Sequence, residues 1–207
     1  MECINVVDVK MHKCFPTVIS EFSYHPDLIP HNLMEKHIKK YFQAWIRKNN
    51  MYHTEDTLHH LTCFLNLRDV ILNVNRYHLK KLEYEYEHLE MTSMWANHLF
   101  AGDAHPPHTH SNNFLSGVYY LKSGKNTSPI QFFDPRPQAN VLRPRNKPNI
   151  LNSSMMKFDS VQGTGYIFPA WLQHWVPPTN EERISISWNI ILRGDYGEPG
   201  TLQNANI

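Results

Sequence analysis

The chain is predicted to be mostly β, a sandwich or barrel with helical support at its N-terminal end. Three observations predict this. After about residue 90, short apolar or aromatic runs are separated by Gly, Pro and Asn, the pattern of many short strands joined by tight turns. The clearest run is Arg183 to Asn189, where Ile184, Ile186 and Trp188 alternate with Arg183, Ser185, Ser187 and Asn189. Alternation with period two gives a strand one apolar and one polar face, so a polar pocket inside the barrel must receive the second set. Before residue 90 the apolar spacing is helical instead.

Taken in order, residues 1–30 carry short apolar runs broken by Pro16, Pro26 and Pro30, as in an edge strand followed by irregular chain. A helix is expected from Asn32, which can cap with Glu35 three residues on. Leu33, Met34, His37, Ile38, Tyr41, Phe42, Trp45 and Ile46 form its stripe, and its end lies near Asn49-Asn50. A second helix covers about 69–86, with Ile71, Asn75, His78 and Leu82 on one face. Both pad the outside of a sheet. Candidate strands are 91–100, 108–110, 115–122, 129–133, 165–168, 174–177 and 183–191, and the basic, proline-rich segment Arg136 to Pro148, with Arg143, Arg145 and Lys147, is a long loop. The 207 residues therefore make one domain: support over about 1–90, a core over about 91–192 and a tail over 193–207.

Lysine and arginine number 20 against 19 acidic residues, so no global charge draws the protein to nucleic acid or to a membrane surface. Three widely spaced cysteines, Cys3, Cys14 and Cys63, fit free thiols in a reducing compartment better than a disulfide framework. The start has no basic region followed by an apolar run, and no segment approaches a membrane span. A soluble, cytoplasmic protein is expected. Most of the 14 histidines stand singly in the N-terminal half and are expected at the surface or satisfied in the core.

Two histidines depart from that pattern. His108 and His110 are separated by one residue on an extended segment, which points both imidazoles to the same side, and His174 follows 64 residues after His110. Two ligands from one strand and a third from a distant one complete one face of an octahedron and leave the opposite positions open. Non-haem Fe(II) oxygenases need that arrangement for a co-substrate and O2. Arg183 and Ser185 lie beyond His174 and would supply an anion clamp, because a guanidinium offers a planar fork to a carboxylate and a hydroxyl on the same face adds a donor. No Ser-His-Asp order, Walker loop or cysteine-metal spacing competes with this site.

These residues also carry a family resemblance. The order Asn97, Gly102, His108-x-His110, Ser116-Gly117-Val118-Tyr119-Tyr120-Leu121, Phe132-Phe133-Asp134-Pro135-Arg136, Gly165-Tyr166-Ile167-Phe168-Pro169-x-Trp171-Leu172-x-His174 and Arg183-x-Ser185-x-Ser187-x-Asn189 resembles the 2-oxoglutarate and Fe(II)-dependent oxygenases. The likeness is greatest to a subgroup found in marine bacteria and phages, and it covers about residues 91–192. It implies a double-stranded β-helix, the jelly roll of cupin-like proteins, with the metal at one mouth. It implies His108 as the first metal-binding histidine and His174 as the distal one. Arg183 then grips the distal carboxylate of 2-oxoglutarate, helped by Ser185 and Tyr120, and Asn97 faces co-substrate or substrate. His110 stands where the wider superfamily has Asp or Glu, so the third ligand is His110 or a carboxylate from Asp134 or Asp103, with His105 as a substitute for His108.

The function implied is Fe(II)- and 2-oxoglutarate-dependent hydroxylation of a C–H bond, with O2 consumed, succinate and CO2 released and ascorbate as a stimulant. A protein side chain such as proline is the expected substrate. The rivals are a three-histidine metal dioxygenase that uses no 2-oxoglutarate and a non-catalytic jelly-roll binding protein. Trp171 and Trp188 are expected to be packing residues, and only one of Tyr119 and Tyr120 can face the barrel interior.

Overall fold

The computed structural model describes residues 10–24, 30–43, 52–136 and 147–207. Helix α1 spans His31–Gln43 and buries Met34, Ile38 and Phe42, a stripe repeating every fourth residue. It begins two residues earlier than the expected cap: the N–H groups of Leu33 and Met34 reach the carbonyl of Pro30, which leaves Asn32 inside the first turn. Glu35 is drawn away by Lys39 and Lys122. The expected end near Asn49-Asn50 lies outside the described residues.

Helix α2 runs Leu65–Lys81 and is led in by 3-10 turns at Leu58–His60 and Thr62–Phe64. Ile71, Asn75 and His78 share the buried face as expected, joined by Leu67 and Leu79. The helix both starts and stops earlier than 69–86. Glu83 has φ 58°, a left-handed conformation that closes a helix, and Leu82 is left exposed beyond the last turn.

Twelve strands follow the chain: β1 Ser20–Ser23, β2 Tyr52–His53, β3 His88–Leu99, β4 His105–His108, β5 Leu115–Lys122, β6 Ile130–Phe133, β7 Met155–Phe158, β8 Thr164–Pro169, β9 His174–Val176, β10 Arg183–Arg193, β11 Asp195–Tyr196 and β12 Ala205–Asn206. They form a six-stranded sheet ordered β1-β8-β5-β10-β3-β2, a four-stranded sheet ordered β4-β9-β6-β7 and a terminal pair β11-β12. The larger two are the antiparallel sheets of a jelly roll, and β1 is the edge strand anticipated for the N-terminal region. Several expectations need correction. The two-residue strands β2, β11 and β12 were not foreseen, nor was β7, since Met155-Met156-Lys157-Phe158 lacks alternation, and the strand placed at 108–110 is instead β4, which ends at His108.

The six-stranded sheet separates two cores. Its outer face, carrying Ile184, Ile186, Trp188 and Ile190 from β10, packs under α1 and α2 with Met34, Ile38, Phe64 and Ile71. Trp188 fits because position 117 opposite it is glycine; a Cβ there would sit 2.1 Å from the indole. The inner face meets the four-stranded sheet through Val118, Tyr120, Tyr166 and Phe168 against Ile130 and Phe132. Tyr119 and Tyr120 accordingly divide between the two cores, with Tyr119 bonded to His31 on the helical side at 2.7 Å. Trp188 packs as expected, but Trp171 is 57% exposed and is no packing residue. Cys14 and Cys63 are free thiols; Cys3 and most of the Arg136 to Pro148 loop, including Arg143 and Arg145, lie outside the described residues. Among the described residues no helix is long and apolar enough to cross a membrane.

Candidate metal centre

The smaller sheet positions the histidines. His108 at the end of β4 pairs directly with His174 at the start of β9, so their side chains stand beside each other on the inner face. His110 lies just past β4, held by its N–H to the carbonyl of Ala170 at 2.9 Å. Its ring stacks on His174 at 13° and 5.2 Å, and His108 lies 4.4 Å from His174 and 5.0 Å from His110 between ring centroids. One nitrogen from each of these three residues lies within 4.8 Å of the others.

The ring hydrogens are fixed from outside the cluster. His108 Nδ1 sits 2.8 Å from the carbonyl of Pro106, and His174 Nδ1 sits 2.9 Å from the carbonyl of Leu172. A carbonyl only accepts, so each Nδ1 carries the hydrogen and each Nε2 keeps a lone pair for the cavity. Burial pushes the pKa of His174 down to about 3 and that of His110 to about 4, with neighbouring imidazoles adding to the effect. Burial lowers His108 as well, against the opposing pull of the Pro106 carbonyl. All three are neutral near pH 7, the form that binds metal.

The six-stranded sheet supplies the rest of the cavity. Arg183, Ser185 and Ser187 on β10 pair across β3 with Leu99, Asn97 and Trp95, and Ser185 also pairs with Tyr120 on β5, so the expected polar face does turn inward. Asn97 donates to Ser187 Oγ at 3.2 Å. Arg183 is 2% exposed, and its guanidinium carbon lies 4.9 Å from the centre of the Tyr120 ring. Arg183 Nε and Tyr120 Oη are buried without a hydrogen-bond partner among the described residues. Neither Glu181 nor Glu182 takes the arginine: Glu182 pairs with His98 and Lys122, and Glu181 accepts from Asn126.

The carboxylates weighed as alternative ligands are engaged elsewhere. Asp134 accepts three hydrogen bonds from Arg136. Asp103 is fully buried in the turn before β4, where it accepts from the N–H of Phe100. His105 does line the cavity, and so do Trp95 and Leu99. The signal for Trp95 and Leu99 was the period of two from Asn97 along β3; His105 had no such signal.

Residues 93–189 match the family model described as "Putative 2OG-Fe(II) oxygenase". No curated protein matches the sequence. Solved structures similar in fold include a Pseudomonas putida prolyl-4-hydroxylase, at 13% identity and TM-score 0.59 over 86% of this chain and 94% of that one. The viral collagen prolyl hydroxylase of Paramecium Bursaria Chlorella virus-1, in its 2OG complex, gives 13% identity and TM-score 0.56 over 83% and 94%. The non-heme alpha ketoglutarate dependent epimerase SnoN from nogalamycin biosynthesis gives 12% identity and TM-score 0.63 over 90% and 83%. The matched residues run from β3 to β10 and hold the histidine cluster and Arg183, so over this part the chain is similar to 2-oxoglutarate and Fe(II)-dependent oxygenases.

Proposed function

We propose that the protein hydroxylates a C–H bond of a protein side chain, with proline the first candidate, using Fe(II), 2-oxoglutarate and O2 and releasing succinate and CO2. The observation that carries this reading is a buried arginine with no acidic partner among the described residues, placed in the same cavity as three neutral imidazoles that each bring one ring nitrogen within 4.8 Å of the others. An uncompensated guanidinium at 2% exposure is costly unless an anion completes it. In this reading His108, His110 and His174 hold the iron, Arg183 with Tyr120 and Ser185 holds the distal carboxylate of 2-oxoglutarate, and Asn97 faces the bound molecules.

The residues fit both groups. Three imidazoles give a nitrogen donor set that leaves positions open, and lacking a carboxylate it is one charge more positive than the usual triad, which favours a dianionic co-substrate. When bound, iron and 2-oxoglutarate supply the oxidising chemistry. The chain's own contribution is to orient and to exclude water: the Pro106 and Leu172 carbonyls lock two imidazole planes, and Val118, Ile130 and Phe168 line the cavity with buried apolar surface. Asn97 is held by Ser187 and keeps a fixed amide toward the cavity. A protein side chain as substrate is supported by the fold likeness to prolyl hydroxylases, with ascorbate as a stimulant in the same reading. A cytoplasmic location accords with the free thiols of Cys14 and Cys63.

The test is anaerobic addition of Fe(II) and then 2-oxoglutarate to metal-free protein, followed by admission of O2. A visible charge-transfer band that saturates at one equivalent, and succinate formed on exposure to O2, are the expected results. Iron bound without any response to 2-oxoglutarate would move the assignment to a three-histidine dioxygenase of another type. Absence of metal binding would leave a jelly-roll binding protein.

A further inference from the structure

Strand β4 carries a histidine at each end, and only His108 has a place in the reading above. His105 is three residues away, a spacing that sets two side chains on opposite faces of a regular strand. The pairing with β9 is not regular. His105 stands opposite Val176 and His108 opposite His174, so three steps along β4 are matched by two along β9. The extra residue falls within Pro106-Pro107, where two locked φ angles and two missing N–H groups prevent an ordinary ladder. This bulge turns His105 back to the face that His108 occupies, and their ring centroids come to 4.3 Å.

The placement has three further properties. His105 lines the same cavity as Arg183 and Ser185. Burial and the imidazoles of His108 and His174 lower its pKa most, and the Arg183 guanidinium adds to the effect. It is not one of the three residues whose nitrogens group within 4.8 Å. An imidazole that faces a cavity can turn a ring N–H toward whatever fills it.

We infer that His105 is a co-substrate-binding residue of this chain, donating a ring N–H to a carboxylate oxygen of 2-oxoglutarate on the side away from Arg183. The inference rests on the 2-oxoglutarate reading proposed above. It gives the dianion a second donor from the opposite sheet, so that the two sheets are tied through the co-substrate as well as through the metal. A hydrogen bond to a charged oxygen is worth enough to change affinity by roughly tenfold.

The experiment compares the parent with His105→Ala and His105→Gln. Each protein is titrated anaerobically with Fe(II) and then with 2-oxoglutarate, following the visible band, and turnover is measured against 2-oxoglutarate. The expected result is stoichiometric iron in all three and a dissociation constant for 2-oxoglutarate raised about tenfold in the alanine variant. Glutamine, which keeps an N–H donor, should restore most of the affinity, and the change should appear in KM rather than kcat. Weakened iron in the alanine variant would overturn the inference by making His105 a metal ligand. Equal affinities for 2-oxoglutarate, or a glutamine variant no better than alanine, would also overturn it. A parent that binds no 2-oxoglutarate fails at the first titration and sinks the oxygenase reading itself.

Discussion

Glu182 and Arg183 are neighbours in sequence and opposites in circumstance. Glu182 faces outward, where His98 Nε2 lies 2.8 Å from one oxygen, Lys122 Nζ bonds the other and Lys39 stands at 3.5 Å. Glu35 returns the charge by pairing with both lysines. Arg183 faces inward at 2% exposure and has no ion pair among the described residues. Burial would raise the Glu182 pKa, yet the hydrogen bonds from Lys122 and His98 and the nearby ammonium charges outweigh it and hold the carboxyl at about 2. The outer charge is thus answered several times over by the chain itself, and the inner one waits for an answer from outside. Redundant, half-exposed pairs each contribute little to stability, whereas a lone buried cation is tolerated where binding a counter-ion is the purpose.

That contrast can be broken from either side. The largest effect is expected at the cluster beside the arginine: His108→Ala or His174→Ala should abolish stoichiometric iron binding, checked by metal analysis, while a thermal melt stays cooperative. Variants that held iron as tightly as the parent would disprove the assigned ligands. Next comes Arg183→Ala, which should cost roughly 2–5 kcal/mol of 2-oxoglutarate binding and leave iron in place. The free variant should be as stable as the parent or more so, because an uncompensated buried charge has been removed. Loss of stability without loss of co-substrate affinity would make Arg183 a structural residue.

The smallest effects separate the two regions by pH. For His174 the folded pKa of about 3 lies below the ordinary value of 6.5, so the unfolded chain takes up the proton first. Metal-free protein should therefore lose stability as pH falls below 6.5, by about 2 kcal/mol between pH 7 and pH 5 from this residue alone. For Glu182 the stabilising contribution is complete above about 4.5 and is lost as pH falls toward about 2. Glu182→Gln should cost no more than about 1 kcal/mol at pH 7, with 2-oxoglutarate affinity unchanged. Urea denaturation at several pH values distinguishes the two windows, and a parent with flat stability from pH 7 to pH 5 would contradict the burial of the imidazole cluster.

The parts of this site legible in the sequence were those that obey a simple period. Alternation along β10 sent Arg183, Ser185 and Ser187 inward and the isoleucines outward, and the same rule divided Tyr119 from Tyr120. What escaped was what neighbours decide. The Pro106-Pro107 bulge is defined only by its register against β9, so local spacing put a strand at 108–110 and left His105 as a stand-in for His108. Asn32 and Glu35 carry the letters of a capping box, but Lys122 from β5 competes for the carboxylate and the helix starts from Pro30. Trp171, flanked by apolar residues, looked like core; it sits on the turn between β8 and β9, where no second layer covers it among the described residues.

The double proline of β4 has one more consequence. β4 is the outer strand of the four-stranded sheet, and an outer strand offers its unpaired backbone to any passing chain. Charged side chains are the usual deterrent, but beside an imidazole cluster they would compete for the metal. Two of the four residues of β4 are exposed prolines without an N–H to give, so the strand that bears His105 and His108 resists edge-to-edge aggregation with no charge at all.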